Sequence, residues 1–377
     1  MTLRHSAMFG WCILAACSAQ SSGDGKTGRE LHHRDDASAQ NDAISENDAG
    51  SESDAGTEVD AGPLDGGDVD AGPPGTLTPS NLPPDICDTP GTKDLTIAPS
   101  DNRGFGIGCD AIIPQGNGLP DICMYKYANV TIAGKALALN FDKKAAVAIV
   151  ATNAFTVTNT GVIEASGETH YTPRNGAGGP DPRGEARGGR GGAGHVTPGA
   201  GGTSGGAAYA STGNQLVAGA RGGPGWAPTG SGWPDNTVPG GFAGGALQLV
   251  SCGRLEVHGT IRVNGSYGVS VIRGSGGGGG SGGTLLLEGA QIVTEGARLE
   301  ALGGGGGSGG GTNCPGGNGG TGSTPPKDGH SGEGCWPGSA AGSGGSIGRI
   351  SMNLPAGTPP PPVNADPPVL FGVVGTH

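Results

Sequence analysis

Gly244-Gly245-Ala246-Leu247-Gln248-Leu249, then Leu255-Glu256-Val257, then Gly259-Thr260-Ile261-Arg262-Val263-Asn264-Gly265 are three short runs in one 22-residue stretch. Apolar and polar residues mostly alternate within each, the period-2 signature of a strand with one buried face. The same trio occurs upstream as Val147-Ala148-Ile149, Phe155-Thr156-Val157 and Gly161-Val162-Ile163-Glu164-Ala165-Ser166-Gly167. It occurs downstream as Gly282-Gly283-Thr284-Leu285-Leu286-Leu287, Ile292-Val293 and Gly296-Ala297-Arg298-Leu299-Glu300-Ala301-Leu302-Gly303. A further copy opens at Gly344-Gly345-Ser346-Ile347-Gly348-Arg349-Ile350, and an earlier one is Val130-Thr131-Ile132 with Leu137-Ala138-Leu139-Asn140-Phe141.

One repeat places a strand's worth of apolar side chains on each of three sides and cannot bury them alone. Stacked repeats bury them all, so the pattern predicts an all-β fold: a short right-handed parallel β-helix, pectin-lyase-like, with roughly 20–25 residues per coil. A β-sandwich or barrel would also alternate. The recurrence of G-x-[IL]-x-[AV]-x-G, with one extra residue in the third copy, favours the solenoid. Between coils lie long Gly-rich insertions, at about 168–243, 266–281 and 304–343, always after the x-[AV]-x-G strand. Insertions at one corner of a solenoid form one face. Bare Gly runs are ordinarily loose linkers. Stacked side by side, these are expected to form an ordered polyglycine-II-like bundle joined through backbone amides, since two Cys and several aromatic residues sit inside them.

Composition agrees. The 377 residues include 83 Gly and 29 Pro, about 30% of the chain against roughly 12% in ordinary globular domains. Leu, Ile, Val and Phe supply only about 17%. Helix-rich architectures are excluded, because Gly costs about 1 kcal/mol per helical site and Pro about 3. No stretch approaches 18 apolar residues, so no helix is expected to span a membrane. The net charge of −12 is local: residues 18–86 hold 15 Asp and Glu against 3 Lys and Arg, and the rest is nearly neutral. With no Lys/Arg stripe to neutralise phosphates, nucleic acid is excluded as a partner.

Residues 1–16 read as a secretion signal, with Arg4 and His5 before an apolar run of about ten residues. The run ends in Leu14-Ala15-Ala16-Cys17, which resembles the lipobox of bacterial lipoproteins. That resemblance implies acylation of Cys17 and firm membrane attachment. Ser18, where Asp would signal retention, implies the outer membrane or cell surface. Residues 17–86 then repeat Asp-Ala-Gly at Asp48, Asp54, Asp60 and Asp70, with no aromatic residue before Asp85. Such a segment cannot bury enough surface to offset its ordering entropy, and it is expected to be a disordered acidic tether. A Cys-bearing cap (87–126), the β-helix (127–354) and a Pro-rich tail (355–377) complete the expected organisation.

The coils Gly244–Gly265 and Gly282–Gly303 resemble Gly-rich parallel β-helix surface proteins of myxobacterial type, as does an Asp-Ala-Gly tether behind a lipobox. Pro315-Gly316-Gly317-Asn318-Gly319-Gly320 is similar to the Gly-Gly-Asn repeats of PE-PGRS proteins, without their PE helical domain. The likeness covers about residues 127–354 and is architectural.

Six Cys follow Cys17, an even number that suggests three disulfides outside the cytoplasm. Cys314 with Cys335, inside one insertion, and Cys109 with Cys123, around a Pro/Gly loop, are the favoured pairs. No C-x-x-C occurs, so zinc and redox sites are excluded, and no cofactor or metal is expected. G-x-S-x-G occurs around Ser204, Ser281, Ser308 and Ser346, but composition alone produces such matches and no helix pattern follows them. The coils show single carboxylates, Glu164, Glu256, Glu288, Glu295 and Glu300, with Glu256 and Glu288 placed on neighbouring coils. The first insertion gathers Tyr171, Tyr209, Trp226 and Trp233 with several Arg. These rings serve either as ligand contacts, stacking on sugars, or as pins for the Gly loops. The function expected is a lipid-anchored structural or adhesive surface protein that binds glycan or matrix. The alternative is a polysaccharide lyase or hydrolase on a pectin-lyase-like helix.

Overall fold

A computed structural model describes residues 77–376 except 106–107, 117–118, 138–145, 167–190, 193, 202–205, 207, 209–213, 231, 233–235, 311–313, 318, 321–322 and 330–339. The signal, Cys17 and the tether up to residue 76 lie outside the described residues, as do Tyr171, Tyr209, Trp233 and Cys335.

The described chain is all-β, with no α-helix. In order its strands are β1 (Leu77–Thr78), β2 (Leu95–Ile97), β3 (Asn102–Gly104), β4 (Ala111–Ile113), β5 (Ile122–Ile132), β6 (Lys135–Leu137), β7 (Ala146–Val157), β8 (Val162–Glu164) and β9 (Gly225–Trp226). Then come β10 (Thr237–Val238), β11 (Ala246–Val257), β12 (Thr260–Arg262), β13 (Thr284–Val293), β14 (Arg298–Glu300), β15 (Arg349–Leu354), β16 (Asn364–Asp366), β17 (Leu370–Val373) and β18 (Gly375–Thr376).

Long and short strands alternate and build two parallel sheets. The larger sheet runs β17-β15-β13-β11-β7-β5-β2, with β4 added antiparallel to β5; the smaller runs β16-β14-β12-β8-β6-β3. From β5 to β16 each coil contributes one longer strand and then one short strand, and the coils stack in a parallel β-helix-like manner. The first two runs of each repeat form a single strand, with a bend at Thr152-Asn153 in β7 and at Cys252-Gly253 in β11 where ladder pairing lapses.

The registers explain the alternation. Cys123, Val147, Leu247, Leu285 and Ile350 stack in one column, and Tyr125, Ile149, Leu249, Leu287 and Met352 in the next. Ala136, Ile163, Ile261 and Leu299 stack in the smaller sheet. All of them are buried between the two sheets. Each buried Leu or Ile contributes about 1.5–3 kcal/mol, and the shared register stacks like side chains from coil to coil.

Coils extend further than the sequence indicated. β2 and β3 lie in the expected cap, and β16 and β17 in the expected tail. Residues 77–86, assigned by composition to the tether, pack on the sheet, with Leu77, Leu82 and Ile86 buried. The physical reason is that the long strands bury both faces. Their outer face carries Ala146, Ala148, Val150, Ala246, Val250 and Leu286, apolar surface that a cover must remove from water.

That cover is a strap running lengthwise. β1 pairs antiparallel with β18 at the C-terminal end. Ser80 then bonds to Glu288 of β13, Cys87 is disulfide-bonded to Cys252 of β11, and the Gly91 N–H donates to Thr152 Oγ1 of β7 at 2.9 Å. The Ala128 N–H of β5 donates to the Lys93 carbonyl, and the chain enters the first coil as β2. One segment thus touches the stack from its last coil to its first.

Candidate functional site

All three insertions leave after a short strand and return at the next long one, so they share one corner. There they form a bundle. Residues 276–283 run through it and send successive N–H groups to three neighbours in turn. Gly276, Gly279 and Gly282 donate to Ala340, Ser343 and Ser346; Gly277, Gly280 and Gly283 to Val269, Ser266 and Val263; Gly278 and Ser281 to Gly223 and Ala220. Their carbonyls accept from Gly241, Gly244, Gly304 and Gly307, and all these bonds measure 2.7–3.0 Å. Every third residue facing the same way is the three-residue turn of polyproline-II-type strands.

That turn explains where glycine is needed. Strands on the outside of the bundle carry Gly where they face inward: Gly219, Gly222 and Gly225; Gly265 and Gly268; Gly342, Gly345 and Gly348. A Cβ on any of these would overlap a carbonyl of the central strand. The central strand has neighbours on every side and is Gly or Ser throughout.

The outer rows of such strands are free to carry side chains. In 263–271, Gly265 and Gly268 face in, while Asn264, Tyr267 and Ser270 occupy one outward row, and Arg273 lies in the bend at 272–274 where the strand ends. Tyr267 is 77% exposed and Ile272 88%. Asn264 Oδ1 accepts the Leu302 N–H at 2.8 Å, and Ser270 Oγ accepts the Ser308 N–H at 2.9 Å. On the other side Ser266 Oγ accepts the Phe242 N–H at 2.7 Å, and the Arg221 guanidinium lies 4.7 Å from the centre of the Phe242 ring. Sequence reading expected the polyglycine-II-like bundle but did not follow its period of three into the side chains, and so passed over Tyr267 and Phe242; the signal was Gly265-x-x-Gly268. Trp226, from the expected aromatic group, is part-buried in β9, where it pairs with Thr237 and exchanges backbone bonds with Ser275.

The carboxylates divide by register. Glu256 stands opposite Val293 and ion-pairs with Arg254 at 2.8 Å, whereas Glu288 stands opposite Val250 and Asn353, so the two are not brought together. Glu288 is fully buried beneath the strap, and the donors it meets among the described residues are neutral. Its oxygens accept from Ser80 N and Oγ (2.5 Å), Gln248 Nε2 (2.6 Å) and Asn353 Nδ2 (2.7 Å). The smaller sheet aligns Glu164, Arg262, Glu300 and Asp366 in one column, a cluster the sequence did not reveal. Arg262 Nε lies 3.0 Å from Glu300, and Nη1 lies 4.0 Å from Glu164. Glu300 also binds Arg298 and Asn264, which occupies both of its oxygens.

Ser281, within one G-x-S-x-G match, is buried and its Oγ accepts the Ala220 N–H at 2.7 Å; the Ser308 N–H is the one held by Ser270, and Ser346 is buried. Ser204 lies outside the described residues. His195 is enclosed where the bundle meets the sheet, near Val217 O and Thr284 Oγ1. Burial pushes its imidazole down to about 4, helped by the Arg349 charge and opposed by the Val217 bond. Tyr127, whose hydroxyl donates to Phe105 O at 2.6 Å, is pushed up to about 12, first by burial. Cys109 is bonded to Cys123, and Cys314 is disulfide-bonded to a partner outside the described residues. Among the described residues no His/Cys/Asp/Glu cluster could hold a metal ion. Comparison with protein-family models, with curated proteins and with solved structures gives no match.

Proposed function

We propose that the protein is a lipid-anchored structural or adhesive protein of the bacterial outer membrane or cell surface, holding a rigid face toward glycan or matrix. The supporting observation is the outer layer of the glycine bundle. Its backbone is fixed by hydrogen bonds to neighbouring strands around Tyr267, which is largely exposed, and Ile272 stands exposed in the bend that follows. Exposed rings and branched chains on a fixed backbone bind at low entropic cost. In this reading the coils are a right-handed, pectin-lyase-like helix, kin to the myxobacterial surface proteins, and the acidic tether spaces the face from the membrane.

The test is a glycan and matrix array probed with the mature full chain, with Trp226→Ala/Trp233→Ala and Tyr267→Ala variants alongside. Saturable binding supports adhesion. Folded protein retained by no surface would reject it and leave a purely structural coat. For the anchor, Cys17→Ser should release the protein from membranes in a fractionation experiment.

A second reading is a polysaccharide lyase or hydrolase. The observation favouring it is the column of Glu164, Arg262, Glu300 and Asp366 on one coil face. Against it, Glu300 is tied to two guanidiniums and an amide, which suits a structural ladder better than proton transfer. Release of reducing ends from polyuronides, abolished in Glu300→Gln, would establish it.

A further inference from the structure

We infer that the outward row Asn264, Tyr267 and Ser270, with Arg273 in the bend at its end, Phe242 on the strand beside it and Arg221 on the strand beyond, is the binding surface for an acidic carbohydrate polymer. The inference rests on the adhesive reading above and gives it a site and a ligand class.

Geometry comes first. At about 3.1 Å per residue, Asn264, Tyr267 and Ser270 stand about 9 Å apart along a ridge that ends at the bend carrying Arg273. An amide, a ring and a hydroxyl are thereby offered in line, with a guanidinium past the last of them, which matches an extended polymer better than a compact ligand. The ridge is rigid because both sides are bonded: Gly265, Gly268 and Val271 donate to Leu302, Gly305 and Ser308, and Ser266 and Val269 donate to Phe242 and Pro239. Tyr267 rests on the neighbouring strand. A methyl added at Gly305 would stand 2.9 Å from Tyr267 Cδ1, so the glycine there makes room for the ring to lie down. Most of the ring remains open to solvent, as a sugar platform requires.

Charge selects the class. Segments 214–230, 236–255, 257–287 and 301–327 contain no Asp or Glu, and Glu300, which touches the ridge at Asn264, is paired with Arg262 and Arg298, whereas Arg221 and Arg273 are exposed. A guanidinium forms paired, charge-assisted bonds with a carboxylate. Arg221 is held over Phe242 and within 3.4 Å of the Gly240 carbonyl, so its position is set before a ligand arrives. Uronate carboxylates meet the two guanidiniums, the sugar face meets Tyr267, and the ring hydroxyls meet Asn264 and Ser270.

The probe is polygalacturonate, with its methyl-esterified form as the neutral counterpart, titrated against the full mature chain by calorimetry. The wild type should bind polygalacturonate and bind the ester about tenfold more weakly or worse. Tyr267→Ala and Arg273→Gln should each weaken binding about tenfold, more so at low salt for the Arg variant, with unchanged unfolding midpoints because both side chains are exposed. Four results overturn the inference. If the wild type binds and both variants bind equally well, the site is wrong while adhesion stands. If the wild type binds neutral glycans but not polygalacturonate, the ligand class is wrong. If single-stranded DNA competes as well as the polyuronide, the surface reads charge alone. If the wild type is retained by no glycan at all, the adhesive reading falls with the inference.

Discussion

Gly280→Ala is the sharpest probe of the glycine bundle. Gly280 donates to Ser266 at 3.0 Å and accepts from Gly304 at 2.7 Å, and an added Cβ would overlap the Phe242 carbonyl. Relief requires one strand to move away. The two hydrogen bonds, at about 1 kcal/mol each, weaken together, and overpacking adds about 1–3 kcal/mol. The expected loss is therefore about 3–5 kcal/mol. Gly357→Ala is the control: φ there is +82° and nothing lies within 4 Å of the new methyl, so only the left-handed backbone resists, at about 1–2 kcal/mol. Urea denaturation of both variants, followed by tryptophan fluorescence, separates the two costs. Backbone hydrogen exchange should also show Gly276–Gly283 protected in the wild type. If Gly280→Ala loses no more stability than Gly357→Ala, or if these amides exchange as freely as an open loop, the bundle is not packed as described.

Three further outcomes follow from buried groups. The His195 imidazole titrates near 4 when folded against about 6.5 when unfolded, so the unfolded chain binds the extra proton between those values. Stability should fall as pH drops from 6.5 toward 4, by at most about 3 kcal/mol, and His195→Gln should flatten that portion of the urea-midpoint profile. Glu288→Ala strips the acceptor from Ser80, Gln248 and Asn353, at about 1–3 kcal/mol for each stranded donor. Hydrogen exchange should then show residues 77–82 opening before the coils do, and retained protection of Ser80 would contradict the bonding scheme. Replacing Cys87 and Cys252 by Ser removes a cross-link spanning 165 residues, with a ceiling of about 5 kcal/mol; an unchanged denaturation midpoint would show that the strap holds without it.

The coils were legible because their core columns repeat a local pattern. Val147, Leu247 and Leu285 align in sequence and stack in space, since alternation alone fixes which face of a strand is buried. The strap was not legible. Leu82-Pro83-Pro84 has no period, and its reason for ordering, the apolar outer face of the long strands, belongs to residues far along the chain. The Glu164–Asp366 column was hidden for a related cause: insertions of unequal length separate its members, so only the register brings them together. Tyr267 was passed over because the expected polyglycine-II-like bundle was read from its glycines, and the period of three that turns the ring outward was not carried to the residues between them.

The strap also decides how the molecule bears load. Tension drawn through the chain upstream of Leu77 reaches the body at β18, on its last coil, and works inward along the outer face. The contacts of residues 77–86 break in succession, each at low force, as in unzipping. At Cys87 the series of small ruptures stops, because the next link is covalent and leads straight to β11 in the middle of the stack. From there the pull is shared by β7 and β13 on either side, whose ladders must yield across many bonds at once. The protein is thus soft to the first few nanometres of extension and stiff beyond them, and reduction of one disulfide would move the point of failure to the first coil.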